Sequence, residues 1–201
     1  MQPTKSRMQP RGFLRKYIFS TDHKAIGRQY FFLALFSVFI GMVLSWLMRM
    51  HLAWPKTAIP GLGRLSPAGA PGGVITPEYY LSLMTLHGTL MIFFVLTTVP
   101  QSGFGNFLLP LQIGARNMAF PRLNMLSFWI TVLSLGVLLS TLFTGDGPPI
   151  SGWTAYPPLS ALGEAAGPGQ GLGQTLWIVA IAIFSVGALL GSINFIATIL
   201  D

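Results

Sequence analysis

The sequence predicts an all-α, polytopic membrane protein. Of its 201 residues, 52% are hydrophobic and only 8% are charged, whereas a typical soluble domain has roughly 25% charged residues. Four apolar runs contain no charged residue, and each is long enough to cross a bilayer core of about 30 Å as a helix. The runs are too long for the strands of a membrane β-barrel, which have about ten residues. We therefore expect a bundle of four transmembrane helices.

The predicted elements follow the chain in a simple order. Residues 1–28 form a polar cytoplasmic arm, and residues 29–201 form the membrane portion. The two stretches rich in Pro and Gly, 52–78 and 145–173, lack a helical period and are expected to be outer loops. The second span is longer than one crossing needs and contains Pro100, so we expect a kinked helix that continues into the cytoplasmic interface. The four spans are predicted at about 29–50, 80–111, 123–144 and 174–200.

The charge distribution sets the predicted orientation. The net charge is +7, and nine of the twelve cations lie on one side of the predicted membrane. The positive-inside rule then places both termini on the cytoplasmic side of a bacterial-type inner membrane. The excess of positive charge indicates that the chain interacts with anionic lipid headgroups rather than with nucleic acid. Disulfides and thiolate metal sites are excluded because the chain has no cysteine. The nine cations are Lys5, Arg7, Arg11, Arg15, Lys16, Lys24, Arg28, Arg116 and Arg122.

His87 is the first candidate functional residue, because it lies in an apolar run without charges. Ionisable residues inside a span are costly and are commonly functional, and a neutral imidazole is a good iron ligand. The neighbouring Gly88 has no side chain, so a flat macrocycle could approach the histidine. Four residues share one apolar face of this helix, which suits a porphyrin and ordinary helix packing equally well. These are Leu83, Leu90, Met91 and Phe94.

Polar residues near the span ends form the second group of candidates. Arg49 ends the first span at about the predicted depth of His87, where it could pair with a haem substituent or extend to the headgroups. Amide side chains cluster near the cytoplasmic ends of the second, third and fourth spans, where they could hold water for a proton path or bond helices together. His23 and His51 are expected to be surface residues, and the GxxxG motif at 187–191 is expected to pack helices. The amides include Asn106, Asn117, Asn124 and Asn194.

Several segments together resemble the N-terminal part of subunit I of haem-copper terminal oxidases, of the cytochrome c oxidase type. The resemblance covers nearly the whole chain in the same order. The segments are FSTDHKAIGRQY (19–30), LMRMHLAWP (47–55), TPEYYLSLMTLHGTLMIFFV (76–95), GFGNFLLPLQIGA (103–115), MAFPRLNMLSFW (118–129), SGWTAYPPLS (151–160) and LGSINFIATI (190–199).

The resemblance implies roles for individual residues. His87 matches the family's first axial ligand to the low-spin haem, and Arg49 matches the arginine that contacts the formyl group of that haem. Trp153 and Tyr156 match positions in the outer loop above the haem edges. The family also implies a haem of the A type, a cytochrome c-like electron donor, other oxidase subunits, and proton movement coupled to O₂ reduction. The asparagines at the mouth of one proton channel are matched by Asn106, Asn124 and Asn194.

The departures from the family pattern are equally informative. Asn117 stands where the family commonly has an aspartate that admits protons, and Gly187 and Ala188 stand where hydroxyl residues often line the same channel. The chain has four spans where the family has about twelve, so the copper ligands and the O₂-reducing centre would lie in a missing C-terminal part. The expected function is therefore that of the low-spin-haem part of a catalytic subunit. The alternative is a truncated, non-catalytic scaffold or relic that packs against oxidase subunits without haem.

Overall fold

The computed structural model describes residues 12–13 and 17–200, and within them it contains only helices, turns and loops. Four helices are long and apolar enough to cross a membrane, which confirms the predicted all-α membrane class. They are His23–Ala53, Pro77–Gln112, Pro121–Phe143 and Leu172–Leu200. The basic residues Lys5, Arg7, Arg11, Arg15 and Lys16 of the predicted arm lie outside the described residues.

The first span begins at His23, six residues before the predicted start. Asp22 explains the difference, because its carboxylate accepts hydrogen bonds from the backbone N–H groups of Lys24 and Ala25 at 2.9 and 3.0 Å. This is N-capping, which satisfies amides that have no partner inside the helix. The helix ends at Ala53, where the N–H of Trp54 bonds to the carbonyl of Met50. Residues 23–28 of the predicted arm are thus part of the first helix.

The second span changes its helical winding partway along. It begins as an α-helix at Pro77–Thr89, capped by the Thr76 hydroxyl, and it ends as an α-helix at Gly105–Gln112. Between them, Leu90–Phe104 forms a π-helix that contains Pro100. The hydroxyls of Thr97 and Thr98 bond to carbonyls five residues earlier, at 2.9 and 3.0 Å. The residues beyond those that one crossing needs are therefore accommodated in the wider turns of the π-helix.

The third and fourth spans pack closely through small and hydroxyl residues. The third comprises an α-helix, Pro121–Ser140, and a 3₁₀ turn, Thr141–Phe143. Its Ser127 and Ser134 hydroxyls each donate at 2.7 Å to a backbone carbonyl of the fourth span. A Cβ added to Gly187 would lie 3.0 Å from the hydroxyl oxygen of Thr131, and one at Gly191 would lie 3.2 Å from that of Ser127. The packing role predicted for the GxxxG motif is confirmed.

The outer loops contain little regular structure. The first holds a single helical turn, Leu62–Leu65, and a 3₁₀ turn, Pro71–Gly73. The second holds a 3₁₀ turn, Gly163–Ala166. The main core lies between the spans and extends under the first outer loop, where Leu62, Ala70 and Ile75 join it. This arrangement leaves the middle of the second span in contact with the first span on one side and the second outer loop on the other.

Candidate functional site

His87 projects from the second span toward the backbone of the first. Its Nδ1 atom lies 2.9 Å from the carbonyl oxygen of Gly41. A carbonyl oxygen only accepts hydrogen bonds, so Nδ1 carries a proton. In the neutral form of the ring, the lone pair is then on Nε2. Within the described part of the chain no group bonds to Nε2, and His87 as a whole is only partly buried. The structure thus presents an oriented imidazole whose second nitrogen is available to a ligand.

Gly41 makes this geometry possible. A Cβ at this position would overlap the terminal methyl of Met91 and would lie 3.6 Å from Nδ1 of His87. The absence of a side chain therefore lets both residues of the second span approach the first-span backbone. Gly41 was missed by sequence reasoning, because a lone glycine in an apolar span carries no distinctive pattern.

The apolar face proposed for a porphyrin is occupied by protein. Leu83, Leu90 and Phe94 are fully buried and belong to the main core of the bundle. Met91 fills the space beside Gly41. Of the two uses that the sequence left open for this face, the structure shows helix packing.

Gly88 is in contact with the second outer loop. A Cβ at Gly88 would lie 3.0 Å from Cδ1 of Trp153 and 3.4 Å from its Cγ. The indole ring also packs edge-on against Phe93, with the ring centroids 6.5 Å apart. The space that was expected to admit a macrocycle is therefore taken by Trp153. Tyr156, the other loop residue singled out, is 72% exposed.

Arg49 lies near the C-terminal end of the first span, with its side chain exposed. It follows Gly41 by eight residues, which corresponds to about 12 Å along a helix. Arg49 is therefore about two turns closer to that end of the span than the backbone group that holds His87, whereas the sequence predicted similar depths for Arg49 and His87.

The three predicted channel asparagines are buried at the span ends that lie on the side of the chain's N-terminus. Asn106, Asn124 and Asn194 are each 0–1% exposed. Asn194 accepts a hydrogen bond from the N–H of Phe120 at 2.8 Å, and Asn106 donates to the carbonyl of Ser102 at 2.7 Å. Within the described residues, Oδ1 of Asn106 and Nδ2 of Asn194 have no hydrogen-bond partner. Both polar side-chain atoms of Asn124 also lack a partner there. Buried amides in this state commonly bind internal water.

Asn117 has a different environment from the other three. Its Oδ1 accepts from the N–H groups of His23 and Met118 at 3.2 and 2.9 Å, and its Nδ2 donates to the carbonyl of Thr21 at 3.0 Å. All three contacts go to backbone groups. The amide therefore attaches the loop between the second and third spans to the start of the first helix.

Two histidines expected at the surface are placed differently. His23 is 3% exposed, and its Nδ1 lies 2.9 Å from the carbonyl oxygen of Asn106. His51 is half-buried, and its ring contacts that of Tyr80 with centroids 5.5 Å apart. The expectation failed for His23 because the first helix begins earlier than predicted and carries this residue into the bundle.

The fold and the site define a class: a multi-pass helical membrane protein with an oriented imidazole held between its first two spans. Comparison with known proteins identifies the family. The chain belongs to the family described as "Cytochrome C and Quinol oxidase polypeptide I", whose model matches residues 25–201.

Individual relatives agree with this assignment. The chain is 38% identical to the "Alternative cytochrome c oxidase subunit 1" of Bradyrhizobium diazoefficiens over 96% of its own length. It is 41% identical to the "Cytochrome c oxidase subunit 1" of Synechocystis over 92%, and 38% identical to that of Thermostichus vulcanus over 91%. It spans 29–30% of the length of these curated relatives. The resemblance seen in the sequence motifs is thereby confirmed, for an N-terminal portion of the family.

Proposed function

We propose that this chain supplies one axial ligand of the low-spin haem in the catalytic subunit of a respiratory haem-copper oxidase. The observation that carries the proposal is the hydrogen bond from Nδ1 of His87 to the Gly41 carbonyl. It fixes the tautomer and the ring orientation, as outer-shell partners of metal-bound histidines do. It leaves Nε2 without a partner among the described residues, and His87 is only partly buried.

The described residues fit a bound haem in their donor chemistry. A haem held there would supply a one-electron redox couple for electron transfer toward a haem-copper centre on another part of the oxidase. His87 would hold the iron, and the Gly41 carbonyl would increase the basicity of the imidazole. Arg49 would stabilise negative charge at the macrocycle edge. No cluster of three or more His, Cys, Asp or Glu residues lies within the described chain. The resemblance to the family implies copper ligands in a later part of subunit I.

The buried asparagines support a hydrated path near the cytoplasmic side. Asn106, Asn124 and Asn194 provide unpartnered polar atoms in a region that is otherwise closed. Asn117 cannot relay a proton as a carboxylate would, and both its amide oxygen and its amide nitrogen bond to backbone groups. We infer that proton entry at Asn117 is inoperative and that protons reach any pumping machinery by another route.

The proposed partners follow from the same placement. The remainder of subunit I would cover the open side of the His87 ring, and other oxidase subunits and membrane lipid would cover the apolar outer faces of the spans. A cytochrome c-like protein would donate electrons at the outer surface. The placement of Lys24, Arg28, Arg116 and Arg122 supports cytoplasmic termini in a bacterial inner membrane.

A reduced-minus-oxidised absorption spectrum of the oxidase that contains this chain tests the proposal. We expect His87→Ala to abolish the low-spin haem band. His51→Ala is the matched control, because His51 is a second half-buried histidine near the outer side, and it should leave that band intact. A His87→Ala enzyme with an unchanged low-spin band would overturn the ligand assignment.

The alternative function, a scaffold that packs in the complex without haem, is favoured by one observation. The apolar face around His87 is used for helix packing. The same spectrum separates the two functions, since a scaffold would co-purify with oxidase subunits and show no change in any haem band when His87 is replaced.

A further inference from the structure

A ladder of three hydroxyl side chains attaches the second outer loop and the fourth span to the second span. Ser82, Thr85 and Thr89 are spaced by three and four residues, so they share one face of the α-helix. All three are 0–3% exposed. The Ser82 hydroxyl donates to the carbonyl of Pro148 at 2.7 Å, and the indole N–H of Trp177 donates to the Thr89 hydroxyl at 2.9 Å.

Thr85 is the central member and contacts the loop directly before Trp153. Its hydroxyl oxygen accepts the backbone N–H of Gly152 at 2.9 Å and donates to the carbonyl of Leu81 at 2.9 Å. Gly152 has a φ of +76°, a backbone conformation that glycine adopts without strain. The hydrogen bond therefore fixes the direction in which the chain leaves Gly152 and enters Trp153.

Trp153 lies against two residues of the second span. It is 43% exposed, and its indole approaches Gly88 and Phe93. Gly88 directly follows His87, so the position of the indole determines what lies beside the imidazole. The link from Thr85 to Gly152 is the backbone hydrogen bond that secures this residue pair to the second span.

We propose that Thr85 is a positioning residue: through the Gly152 N–H it holds Trp153 against Gly88, and it thereby sets the surroundings of the group bound at His87. The inference rests on the proposed haem-ligand function. It adds a role for a buried hydroxyl whose hydrogen bonds go to the backbone of Leu81 and Gly152. Loss of one buried hydrogen bond is expected to change the ratio of attached to detached loop by roughly three- to tenfold.

The first test follows Trp153 itself, without reference to haem. Thr85→Val keeps the shape of the side chain but removes the acceptor, and Thr85→Ser keeps the hydroxyl. The fluorescence of Trp153 is obtained by recording the emission of each variant and subtracting the emission of the same variant that also carries Trp153→Phe. We expect Thr85→Val to increase acrylamide quenching of this difference signal and Thr85→Ser to leave it as in the wild type.

Thr131→Val is the matched control. Thr131 lies on the third span, is 4% exposed, and its hydroxyl donates to the carbonyl of Ser127. It should leave Trp153 quenching unchanged. Should Thr85→Val not fold, Thr85→Ala gives the same comparison with a smaller side chain. Unchanged Trp153 quenching in the folded Val or Ala variant would overturn the inference.

The second test measures the midpoint potential of the low-spin haem in the oxidase that contains the chain. We expect a shift in Thr85→Val beyond the scatter of replicate wild-type titrations, and recovery of the wild-type value in Thr85→Ser. A changed Trp153 signal with an unchanged potential would show that the ladder is only structural and would overturn the positioning role. Absence of any low-spin haem in the wild type would instead contradict the proposed function, and the positioning role would be rejected with it.

Discussion

The close contact between the first and second spans at Gly27 gives a quantitative prediction. A Cβ added to this buried glycine would lie 3.1 Å from the carbonyl oxygen of Gly103 and 3.2 Å from both N and Cβ of Phe107. Two of these three atoms belong to the helical backbone of the second span, so they cannot move aside as a flexible side chain could. In Gly27→Ala the two helices must separate by a few tenths of an ångström.

The expected magnitude follows from two opposing terms. Overpacking of a well-packed contact costs about 1–3 kcal/mol, whereas replacing a helical glycine by alanine is intrinsically favourable by about 1 kcal/mol. Gly136→Ala isolates the second term, because a Cβ there meets no atom within 4 Å and Gly136 also lies in a membrane span. We therefore expect Gly27→Ala to be less stable than Gly136→Ala by about 1–3 kcal/mol.

Equilibrium unfolding in mixed dodecyl maltoside and SDS micelles, followed by far-UV circular dichroism, measures this difference. The comparison uses both variants and the wild type under identical conditions. A difference between the two variants below about 0.5 kcal/mol, the range of ordinary surface substitutions, would refute the close approach of the helices at Gly27.

Three further predictions follow from other contacts. Gly41→Ala should reduce the low-spin haem content of the oxidase, because the added methyl would overlap Met91 and crowd Nδ1 of His87. The absorption spectrum measures this content, and an unaltered spectrum would contradict the prediction. Asn117→Asp should destabilise the chain by about 1 kcal/mol, because the donor to the Thr21 carbonyl is lost, and Asn117→Ala by about 2–3 kcal/mol, because all three hydrogen bonds are lost. Unfolding in the same micelles measures the two losses, and an Asp variant as unstable as the Ala variant would disprove the prediction. Trp177→Phe should lower the free energy of unfolding by about 1 kcal/mol, because the buried Thr89 hydroxyl loses its indole donor. If the losses of Trp177→Phe and Thr89→Ala are purely additive in the double variant, the interaction is ruled out.

The sequence predicted the four spans well because lipid imposes a simple requirement. A crossing needs about 20 apolar residues without charge, and such runs are visible without any tertiary information. The start of the first helix was missed because Asp22 and His23 look like polar loop residues. Only the contacts of the Asp22 carboxylate with Lys24 and Ala25, and of His23 with Asn106, show that the helix extends to them.

The sequence identifies the central residue of the candidate site but not the surroundings of that residue. His87 is conspicuous as an imidazole in an uncharged span. Its partner Gly41 lies 46 residues away in the sequence, and a contact of that separation leaves no local pattern. The apolar periodicity around His87 was ambiguous for a physical reason: a helix face that packs on a neighbouring helix and one that packs on a porphyrin require the same residues.

The loop contacts were also hidden from sequence reasoning. Gly88 was interpreted as space for a macrocycle, yet it accommodates Trp153 from a loop 65 positions further along. The hydroxyls at Ser82, Thr85 and Thr89 have helical spacing, but Ser and Thr in a span equally often bond back to their own helix. Their role emerged only when the loop was placed beside them.

The partial exposure of His87 has a consequence for biogenesis. If iron binds Nε2, the haem lies between these four helices and the part of the oxidase that encloses them. Any ligand that binds only the joined form favours joining by mass action. Cofactor insertion and closure of the complete bundle would then be thermodynamically linked, so haem supply would limit how much of the finished complex accumulates.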